Sequence, residues 1–403
     1  MSVQVETAGA PVDTPDALAR ARDAARILAD QARTVDEEGT FPLTGIEALR
    51  AAGLMGLLVP RRYGGLGGSY AQLSQVAQVL AGCCLSTAMV WGMHCQQVAV
   101  LVDHASAELN ERVLPRVAGG EVFIASITSE RGKGGHLLTA YAPLTYEGDH
   151  AVMRRDAPVV TGGARADAYL VTMRASADAS PGDVRLVYAD RAQVDVEVRS
   201  PWSTLGMRGT ESLGLSLAGR VPGEQVIGGE RGFEEIAVTT LIPAGHIAWA
   251  SCWLGAAVAA YRQVIALLRD PRQRREFDLH SDLFVTRLAE TRMRLDVAGA
   301  YLARVVAEYE EARRSAHPVE ALNAPSFQIH INTLKVHASE STYETVSHLM
   351  QLVGLRHGYS KTSAVPVERT LRDLRSASLM YSNDRLLVAN GKLSLLDTAV
   401  RLP

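Results

Sequence analysis

The sequence predicts a multi-domain α+β protein in which a helical region, a β-rich region and a second helical region follow one another. Ala- and Leu-rich segments typical of helices recur over residues 15–115. Short β-branched runs separated by Gly, Pro and Asp come next, and long amphipathic stretches return after residue 231. We therefore expect an N-terminal helical domain over 1–120, a central β-domain over 121–230 and a C-terminal helical bundle over 231–403.

Local signals place elements within the first domain. Thr44 and Glu47 have the spacing of a capping box, which predicts a helix that begins there and ends near Gly53. The segment PRRYGGLGGSY, residues 60–70, predicts a glycine-rich loop between helices.

The later domains differ in their apolar periodicity. Runs such as APVVTGG, AYLVTM, VRLVYAD and VDVEVRS alternate as in a small β-sandwich or barrel. Four amphipathic stretches then predict the helices of a bundle, over roughly 231–269, 276–315, 326–354 and 366–396. The uncharged run IAWASCWLGAAVAAY, residues 247–261, is shorter than the about 20 residues that cross a bilayer, so we expect a buried helix and no membrane span.

Charge and cysteine content exclude several classes of function. A net charge of −3 and 47% apolar residues indicate neither disorder nor a dedicated polyanion binder, so we expect no nucleic-acid partner. The four cysteines, Cys83, Cys84, Cys95 and Cys252, show no CxxC spacing. We therefore expect no metal site and no disulfide framework. Reduced thiols and an N-terminus without a signal pattern predict a cytoplasmic protein.

Several motifs occur in a characteristic order along the chain. VPRRYGGLGGSYAQLSQVAQVLA lies in the first domain, and LGMRGTESLGLSLAGRVPGEQVIG (205–228) contains Gly-x-Arg-x-Ser/Thr-x-Ser/Thr. RQRREF (272–277) contains Arg-x-x-Phe, and QLVGLRHGYSKTSAVPVERTLRDLRS (351–376) contains Gln-x-x-Gly…Gly-Tyr…Pro-x-Glu-Arg…Arg-Asp. From about residue 20 to 395 the chain resembles the acyl-CoA dehydrogenase superfamily. The resemblance implies an N-terminal helical domain, a central β-sandwich or barrel, a C-terminal four-helix bundle, and one FAD per subunit of a homotetramer.

The resemblance also implies roles for individual residues around FAD. Ser129, in ITSERGKGG, occupies the hydroxyl position that faces the flavin ring, and Thr161 matches the threonine that hydrogen-bonds flavin N5. Val159 lies where relatives often have a tryptophan stacked on the flavin. Further cofactor-binding positions, several of them acting across a subunit interface, are Arg274, Phe277, Gln351, Gly354 and Asn383.

Each of these assignments has an ordinary structural alternative. Ser129 would cap a turn, and Thr161 would be a simple strand residue. Arg274 would belong to a solvated basic face with its neighbouring arginines, and Gln351 would be a polar residue at a helix end.

The resemblance places a catalytic glutamate where this chain has none. The usual position lies eight residues beyond Asp373 and holds Tyr381. Some relatives place the glutamate at the start of the C-terminal domain, where this chain has Gly245 followed by His246. Desaturating an acyl thioester requires removal of an α-proton as hydride leaves for the flavin, which suits a carboxylate in a dry pocket. Neither position holds a carboxylate.

Three explanations account for the missing glutamate. Tyr381 or His246 replaces the base, and unperturbed pKa values of about 10 and about 6.5 favour the histidine. Alternatively, Tyr381 only lines the pocket and His246 only packs between helices. Asp384 lies beyond the expected position, and we expect it to interact with a helix terminus or an arginine.

The second explanation is a reduced-flavin-dependent monooxygenase, an N- or C-hydroxylase that receives flavin electrons from a reductase and needs no glutamate. His94, in GMHCQQ, lies where some such relatives use a histidine near the flavin. The third is a specialised reaction on an acyl group that is already activated. A non-enzymatic scaffold on this fold is a further alternative.

We predict an FAD-dependent oxidoreductase that acts on an acyl-CoA or acyl-carrier-protein substrate with an atypical or absent base. The monooxygenase is the alternative. The missing glutamate favours the monooxygenase, whereas the Pro-x-Glu-Arg…Arg-Asp segment favours the dehydrogenase. The expected partners are an electron-transfer protein or a flavin reductase, and the catalytic candidates are Tyr381, His246 and His94.

Overall fold

The N-terminal domain consists of helices packed around the loop 52–69. The computed structural model describes residues 14–132, 136–228 and 232–403. The described part of this domain contains the helices α1 (Thr14–Glu38), α2 (Leu43–Ala51), α3 (Tyr70–Ala81), α4 (Leu85–His104) and α5 (Ala107–Ala118). Most residues of helix α4 are buried, because it packs against α3 and α5 of its own domain and also against the two domains that follow.

The predicted capping box at Thr44 and Glu47 is wrong. Helix α2 begins at Leu43, directly after Pro42, and Thr44 lies inside it. A proline just before the helix leaves no amide proton to satisfy there. The capping box is instead at Ser69, whose hydroxyl accepts from the Gln72 amide at 3.2 Å and starts α3. Gly53 follows α2 with a φ of +69°, which confirms the predicted stop.

The central domain contains two four-stranded sheets, which confirms the predicted β-sandwich or barrel. One sheet has the order β1-β4-β5-β8 and the other β2-β3-β7-β6, and among the strand pairs of the described residues only β1–β4 is parallel. The strands are β1 (Ile124–Ile127), β2 (Thr145–Glu147), β3 (His150–Val160), β4 (Ala168–Arg174), β5 (Val184–Asp190), β6 (Val194–Ser200), β7 (Leu213–Pro222) and β8 (Val226–Ile227).

A bulge interrupts β3 near its end. Ala157 pairs with Leu215, whereas Val160 pairs with Leu213. An advance of three residues along β3 is therefore matched by an advance of two residues along β7. A bulge breaks the alternation of side chains and redirects those that follow. Val159 is therefore 45% exposed although it is apolar.

The C-terminal domain is a helical bundle. Its described helices are α6 (Gly232–Ile236), α7 (Ile242–Arg269), α8 (Asp282–Arg314), α9 (Pro318–Asn323), α10 (Pro325–Gly354), α11 (Val367–Leu374) and α12 (Asn383–Ser394). A π-helical turn (Ala237–Leu241) joins α6 to α7, and a second (Leu355–Tyr359) follows α10. Helix α10 packs against α7, α8 and α12, which form the bundle with it.

The predicted buried helix and the predicted last helix of this domain have different outcomes. The stretch Gly232–Arg269 is long and apolar enough to pass a membrane-span test, but α7 packs against α3, α4, α8 and α10. The predicted buried helix is thus confirmed. The single helix predicted over 366–396 is wrong, because residues 375–382 separate α11 from α12. Tyr381 has a φ of +47° there, a left-handed conformation that no helix of L-residues continues through.

The contact between α3 and α7 depends on Gly255. A Cβ at Gly255 would lie 2.4 Å from the carbonyl oxygen and 2.5 Å from the Cα of Gln78. We expect Gly255→Ala to lower the free energy of unfolding by about 1–3 kcal/mol, because the backbones must move apart. The measurement is the thermal midpoint by circular dichroism.

Gly299→Ala is the matched control, since the nearest atom to its Cβ would be Leu254 Cδ2 at 3.7 Å. Alanine is favoured over glycine inside a helix, so this variant should be as stable as the parent or slightly more stable. Equal midpoints for the two variants would contradict the prediction.

Candidate active site

A cavity of about 240 Å³ lies where the three domains meet. Strand β1, the residues after it and the end of β3 form one wall, while α4, α7 and the 375–382 break form the others. The lining residues include Met93, Gln96, Phe123, Ser126, Thr128, Ser129, Val159, Thr161, Leu241, Ile242, His246, Trp249, Met380 and Tyr381. A larger groove of about 820 Å³ lies on the sheet formed by β2, β3, β7 and β6 and contains none of the predicted site residues.

The β-domain wall brings Ser129 and Thr161 together, as the sequence motifs predict. The Ser129 hydroxyl donates to the Val159 carbonyl at 2.7 Å, which links the segment after β1 to the bulge in β3. Thr161 Oγ1 lies 2.9 Å from Ser212 Oγ, and that oxygen lies 2.8 Å from Thr210 Oγ1. The two predicted flavin-facing hydroxyls therefore lie on one wall and are held by further hydrogen bonds.

A buried ion pair supports the Ser129 segment from behind. Arg155 Nη1 lies 2.7 Å from Glu130 Oε2, and the two side chains are 0% and 8% exposed. Arg155 Nη2 donates to the Ser129 carbonyl at 3.1 Å. Burial lowers the pKa of Arg155. Our sequence analysis missed this pair, although Arg155 occupies an inward-facing position of β3.

His246 lies on the opposite wall. Its Nδ1 lies 3.2 Å from the Ile331 carbonyl and must donate, because a carbonyl only accepts, so Nε2 remains an unprotonated acceptor. Burial, and then the charge of Lys335, lower the pKa of His246 to about 3. The side chain is thus neutral at physiological pH. The expectation that it is matched to general-base catalysis near neutrality is corrected, because such a base needs a pKa near the working pH.

Tyr381 lies beside His246, with ring centroids 5.7 Å apart. Burial raises the pKa of the Tyr381 phenol, so the hydroxyl keeps its proton and can donate. Asp384 does not line the cavity. It lies exposed in the first turn of α12, where a carboxylate complements the helix dipole, as predicted.

The second possible base position lies against the amide of a buried glutamine. A Cβ at Gly245 would lie 2.3 Å from Gln96 Nε2. That amide donates to the Leu241 carbonyl at 2.7 Å, in the π-helical turn before α7. Our sequence analysis missed Gln96, because only the folded chain places α4 against α7. Among the described residues that line the cavity, none is Asp or Glu.

His94 is buried and does not line the cavity. Its Nε2 lies 3.0 Å from the Met55 carbonyl, and its Nδ1 accepts from the Ile124 amide at 3.0 Å. Burial lowers its pKa to about 4. With both ring nitrogens bonded to main chain, His94 connects α4 to β1. These contacts favour a structural role, and the catalytic role stays a prediction.

Asn383 also lies outside the cavity wall. Its Oδ1 accepts from Lys335 Nζ at 2.7 Å, and its Nδ2 lies 3.0 Å from Ser339 Oγ and 2.9 Å from Glu340 Oε1. The buried amide is used within the bundle, which argues against the predicted cofactor contact.

The other predicted cofactor residues cluster at one end of the bundle, away from the cavity. The Phe277 ring lies 5.8 Å from that of His357, in the turn that follows Gly354. Gly354 has a φ of +69° and ends α10. Arg274 and Gln351 are exposed. Their assignment to FAD across a subunit interface stays a prediction.

The cavity walls fit a flavin ring. A planar apolar ring with a hydrogen-bonding edge would cover the exposed Val159 and meet the hydroxyls of Ser129 and Thr161. Trp249 Nε1 is buried and has no hydrogen-bond partner among the described residues. Such an indole N–H is a donor available to a bound ligand.

Comparison with known proteins identifies the family. Residues 17–121 match the acyl-CoA dehydrogenase N-terminal domain, and residues 230–381 match the acyl-CoA dehydrogenase C-terminal domain. The short-chain-specific acyl-CoA dehydrogenase of Clostridium acetobutylicum is 26% identical over 370 residues, 90% of this chain and 92% of that protein.

Solved structures share the whole architecture. Butyryl-CoA dehydrogenase from Megasphaera elsdenii superposes with a TM-score of 0.81 at 20% identity, over 98% of this chain and 100% of that chain. The dibenzothiophene monooxygenase TdsC from Paenibacillus sp. A11-2 gives 0.82 at 22% identity, over 96% and 98%. The prolyl acyl carrier protein oxidase AnaB gives 0.79 at 18% identity, over 94% and 98%. At these identities the likenesses show the fold alone.

The fold, the motif order and the two domain matches agree, and the cavity walls fit the cofactor. The chain belongs to the acyl-CoA dehydrogenase superfamily, and its cofactor is a flavin, FAD in this family.

Proposed function

We propose that this chain is an FAD-dependent oxidoreductase that oxidises an acyl thioester, carried by CoA or by a carrier protein, without a carboxylate base from the protein. The observation that carries the proposal is the composition of the cavity. Hydroxyls of the β-domain wall face His246 and Tyr381, and no described lining residue is acidic. The relationship to acyl-CoA dehydrogenases supports the thioester, and the likeness to a carrier-protein oxidase supports the second carrier.

The protein's residues would bind and orient the substrate. A flavin held at Ser129 and Thr161 supplies the hydride acceptor. Met93, Leu241 and Ile242 provide an apolar surface for the acyl group and exclude water. Tyr381 would donate a hydrogen bond to the thioester carbonyl, and the unprotonated Nε2 of His246 would accept one from an N–H or O–H group of the substrate.

Neither cavity side chain is suited to remove an unactivated α-proton. The conjugate acid of His246 has a pKa of about 3, and the Tyr381 phenol holds its proton. The substrate should therefore be activated already, for example by an electron-withdrawing substituent that makes the α-proton acidic enough to pass to solvent, while the β-hydrogen still leaves as hydride. This requirement separates the proposed reaction from ordinary desaturation.

The test is an anaerobic titration of the oxidised holoenzyme with acyl-CoA and acyl-carrier-protein thioesters, some with a substituent that acidifies the α-proton and some without. We expect the yellow absorbance band of the flavin to bleach with activated thioesters and to remain with simple saturated ones. Equal bleaching by both classes would contradict the activated-substrate requirement. No bleaching across the panel would reject the proposal.

A reduced-flavin monooxygenase is the second candidate. The absence of a carboxylate from the described lining residues favours it, because oxygen insertion needs no α-proton abstraction. The likeness to TdsC is consistent with it. Its test supplies ¹⁸O₂ to the same protein with chemically reduced flavin. The positive result is a product that contains one ¹⁸O atom.

We also propose a homotetramer in the cytoplasm that exchanges electrons with an electron-transfer protein or a flavin reductase. Apolar side chains remain exposed on α8 and α12 and beyond α10, as expected of surfaces that meet other subunits. They include Leu283, Met293, Val297, Leu355, Leu387 and Val388. The four cysteines are free thiols, as is usual in a reducing compartment.

Arg274→Ala tests the inter-subunit cofactor site. A guanidinium that binds phosphate oxygens contributes enough that its loss should weaken FAD binding on the order of 10- to 100-fold. We expect less flavin per subunit after gel filtration and partial loss of the tetramer. Arg272→Ala is the matched control, because Arg272 is exposed in the same basic segment. Unchanged flavin content in Arg274→Ala would remove this residue from the site.

A further inference from the structure

Lys335 is a buried cation next to the cavity. It lies in the middle of α10 with 0% of its surface exposed. Its Nζ donates to Asn383 Oδ1 at 2.7 Å and to the Tyr381 carbonyl at 3.2 Å. The same atom lies 5.8 Å from the centroid of the Trp253 ring. A buried ammonium is expensive unless its protons are all used, so these contacts are a specific arrangement and not incidental packing.

The two oxygen atoms that Lys335 binds belong to the boundary between the 375–382 break and α12. Tyr381 has the left-handed φ of +47°, which is unfavourable for a bulky L-residue. Such a conformation persists only where surrounding contacts hold it. Lys335 binds the carbonyl of this strained residue and also the side chain of Asn383, the first residue of α12.

We propose that Lys335 is a positioning residue of the cavity, which fixes the main chain at Tyr381 and thereby the direction in which the Tyr381 ring enters the cavity beside His246. The effect of Lys335 on turnover rests on the function proposed above. Its effect on the position of the Tyr381 ring does not. Asn383, first assigned to the cofactor, completes this arrangement. Its amide accepts from Lys335 and contacts Ser339 and Glu340 on α10.

The charge of Lys335 makes the arrangement sensitive to pH. Burial lowers the pKa of Lys335 to about 7, against an opposing effect of Glu340 on the same helix. The other ionisable groups that face this region are His246 on α7, Tyr381 in the break and Arg385 on α12. His246, with a pKa of about 3, and Tyr381, with a raised pKa, do not change protonation near neutrality.

The strength of the hydrogen bonds that Lys335 donates decides how the Tyr381 ring responds to pH. Below pH 7 Lys335 is an ammonium and donates charge-assisted hydrogen bonds, which are roughly twice as strong as neutral ones. As the pH rises through about 7 it becomes a neutral amine, and its bond to the Tyr381 carbonyl weakens. The Tyr381 ring should therefore be held less firmly on the alkaline side.

The experiment places 4-fluorophenylalanine at position 381, which keeps the ring and removes the phenol proton. Fluorine NMR of the holoenzyme then reports the surroundings of that ring without any substrate. We expect the fluorine resonance to shift or broaden in Lys335→Met and to be unchanged in Lys392→Met, a control at an exposed lysine of α12. We also expect the parent resonance to move with a midpoint near pH 7.

An unchanged resonance in a folded Lys335→Met protein would overturn the proposal. If that variant does not fold, Asn383→Ala in the fluorinated protein decides: a shifted or broadened resonance supports the positioning role, because Lys335 loses its acceptor at 2.7 Å, and an unchanged resonance overturns it. Failure of thioesters to bleach the flavin would reject the proposed function without changing any of these spectra.

Discussion

Arg155→Met should lower the free energy of unfolding by about 3–5 kcal/mol, because it leaves the Glu130 carboxylate buried without its partner. The ion pair is almost fully shielded from water, with the side chains 0% and 8% exposed. Glu130 also accepts the amides of Tyr141 and Ala142 at 2.8 and 2.7 Å, so it cannot turn out to solvent without breaking both bonds. The measurement is urea unfolding of the flavin-bound protein.

Two further variants make this test specific. Arg154→Met changes the preceding, exposed arginine and should have little effect. Combining Arg155→Met with Glu130→Gln removes the stranded charge and keeps an amide oxygen for one of the two backbone donors, so part of the stability should return. If Arg155→Met were as stable as Arg154→Met, the ion pair would not support this wall. We also expect Arg155→Met to retain less flavin, since the Ser129 carbonyl loses a donor.

Tyr381→Glu should increase the rate at which a saturated acyl-CoA reduces the flavin by about 10²- to 10⁴-fold, the usual contribution of a positioned general base. The substitution places a carboxylate where the motif spacing expects one, on a wall that already faces the β-domain hydroxyls. Burial raises the pKa of a carboxyl toward the working range of a base. Stopped-flow absorbance of the flavin under anaerobic conditions measures the rate.

Tyr381→Gln is the matched control for this increase in the rate of flavin reduction. Glutamine has the size of glutamate but cannot take a proton at neutral pH. A rate increase in Tyr381→Glu alone would identify proton abstraction as the missing step. Equal rates in the two variants would mean that the cavity binds saturated acyl-CoA in no reactive geometry, which would favour the monooxygenase reading.

Much of the architecture was predictable because helices and strands leave different periodicities in the sequence. The order of helical and β segments, the two sheets and the buried α7 follow from apolar patterns that extend over many residues. The break at 375–382 was not predictable, because the amphipathic pattern continues through it. At the far end of the break, the left-handed conformation of Tyr381, supported by a bond from distant Lys335, separates the break from α12.

The site shows the same division between local and long-range information. Motif order places Ser129 and Thr161 on one wall, and the position of Tyr381 at the cavity follows from spacing. The contacts of His94 and Asn383 could not be predicted, because their partners, such as Met55 and Lys335, are remote in sequence. Gln96 and Arg155 were missed for the same reason: nothing near them in the chain indicates what they contact.

The close approach of Gln96 to Gly245 restricts how this enzyme could evolve. A mutation of Gly245 to glutamate would collide with the Gln96 amide, only 2.3 Å from where the new Cβ would lie. A glutamate there requires the Gln96 side chain to turn away, which sacrifices its hydrogen bond to the Leu241 carbonyl. Position 381 already lines the cavity and needs no such rearrangement of Gln96, so a lineage that acquired a carboxylate would be expected to do so there.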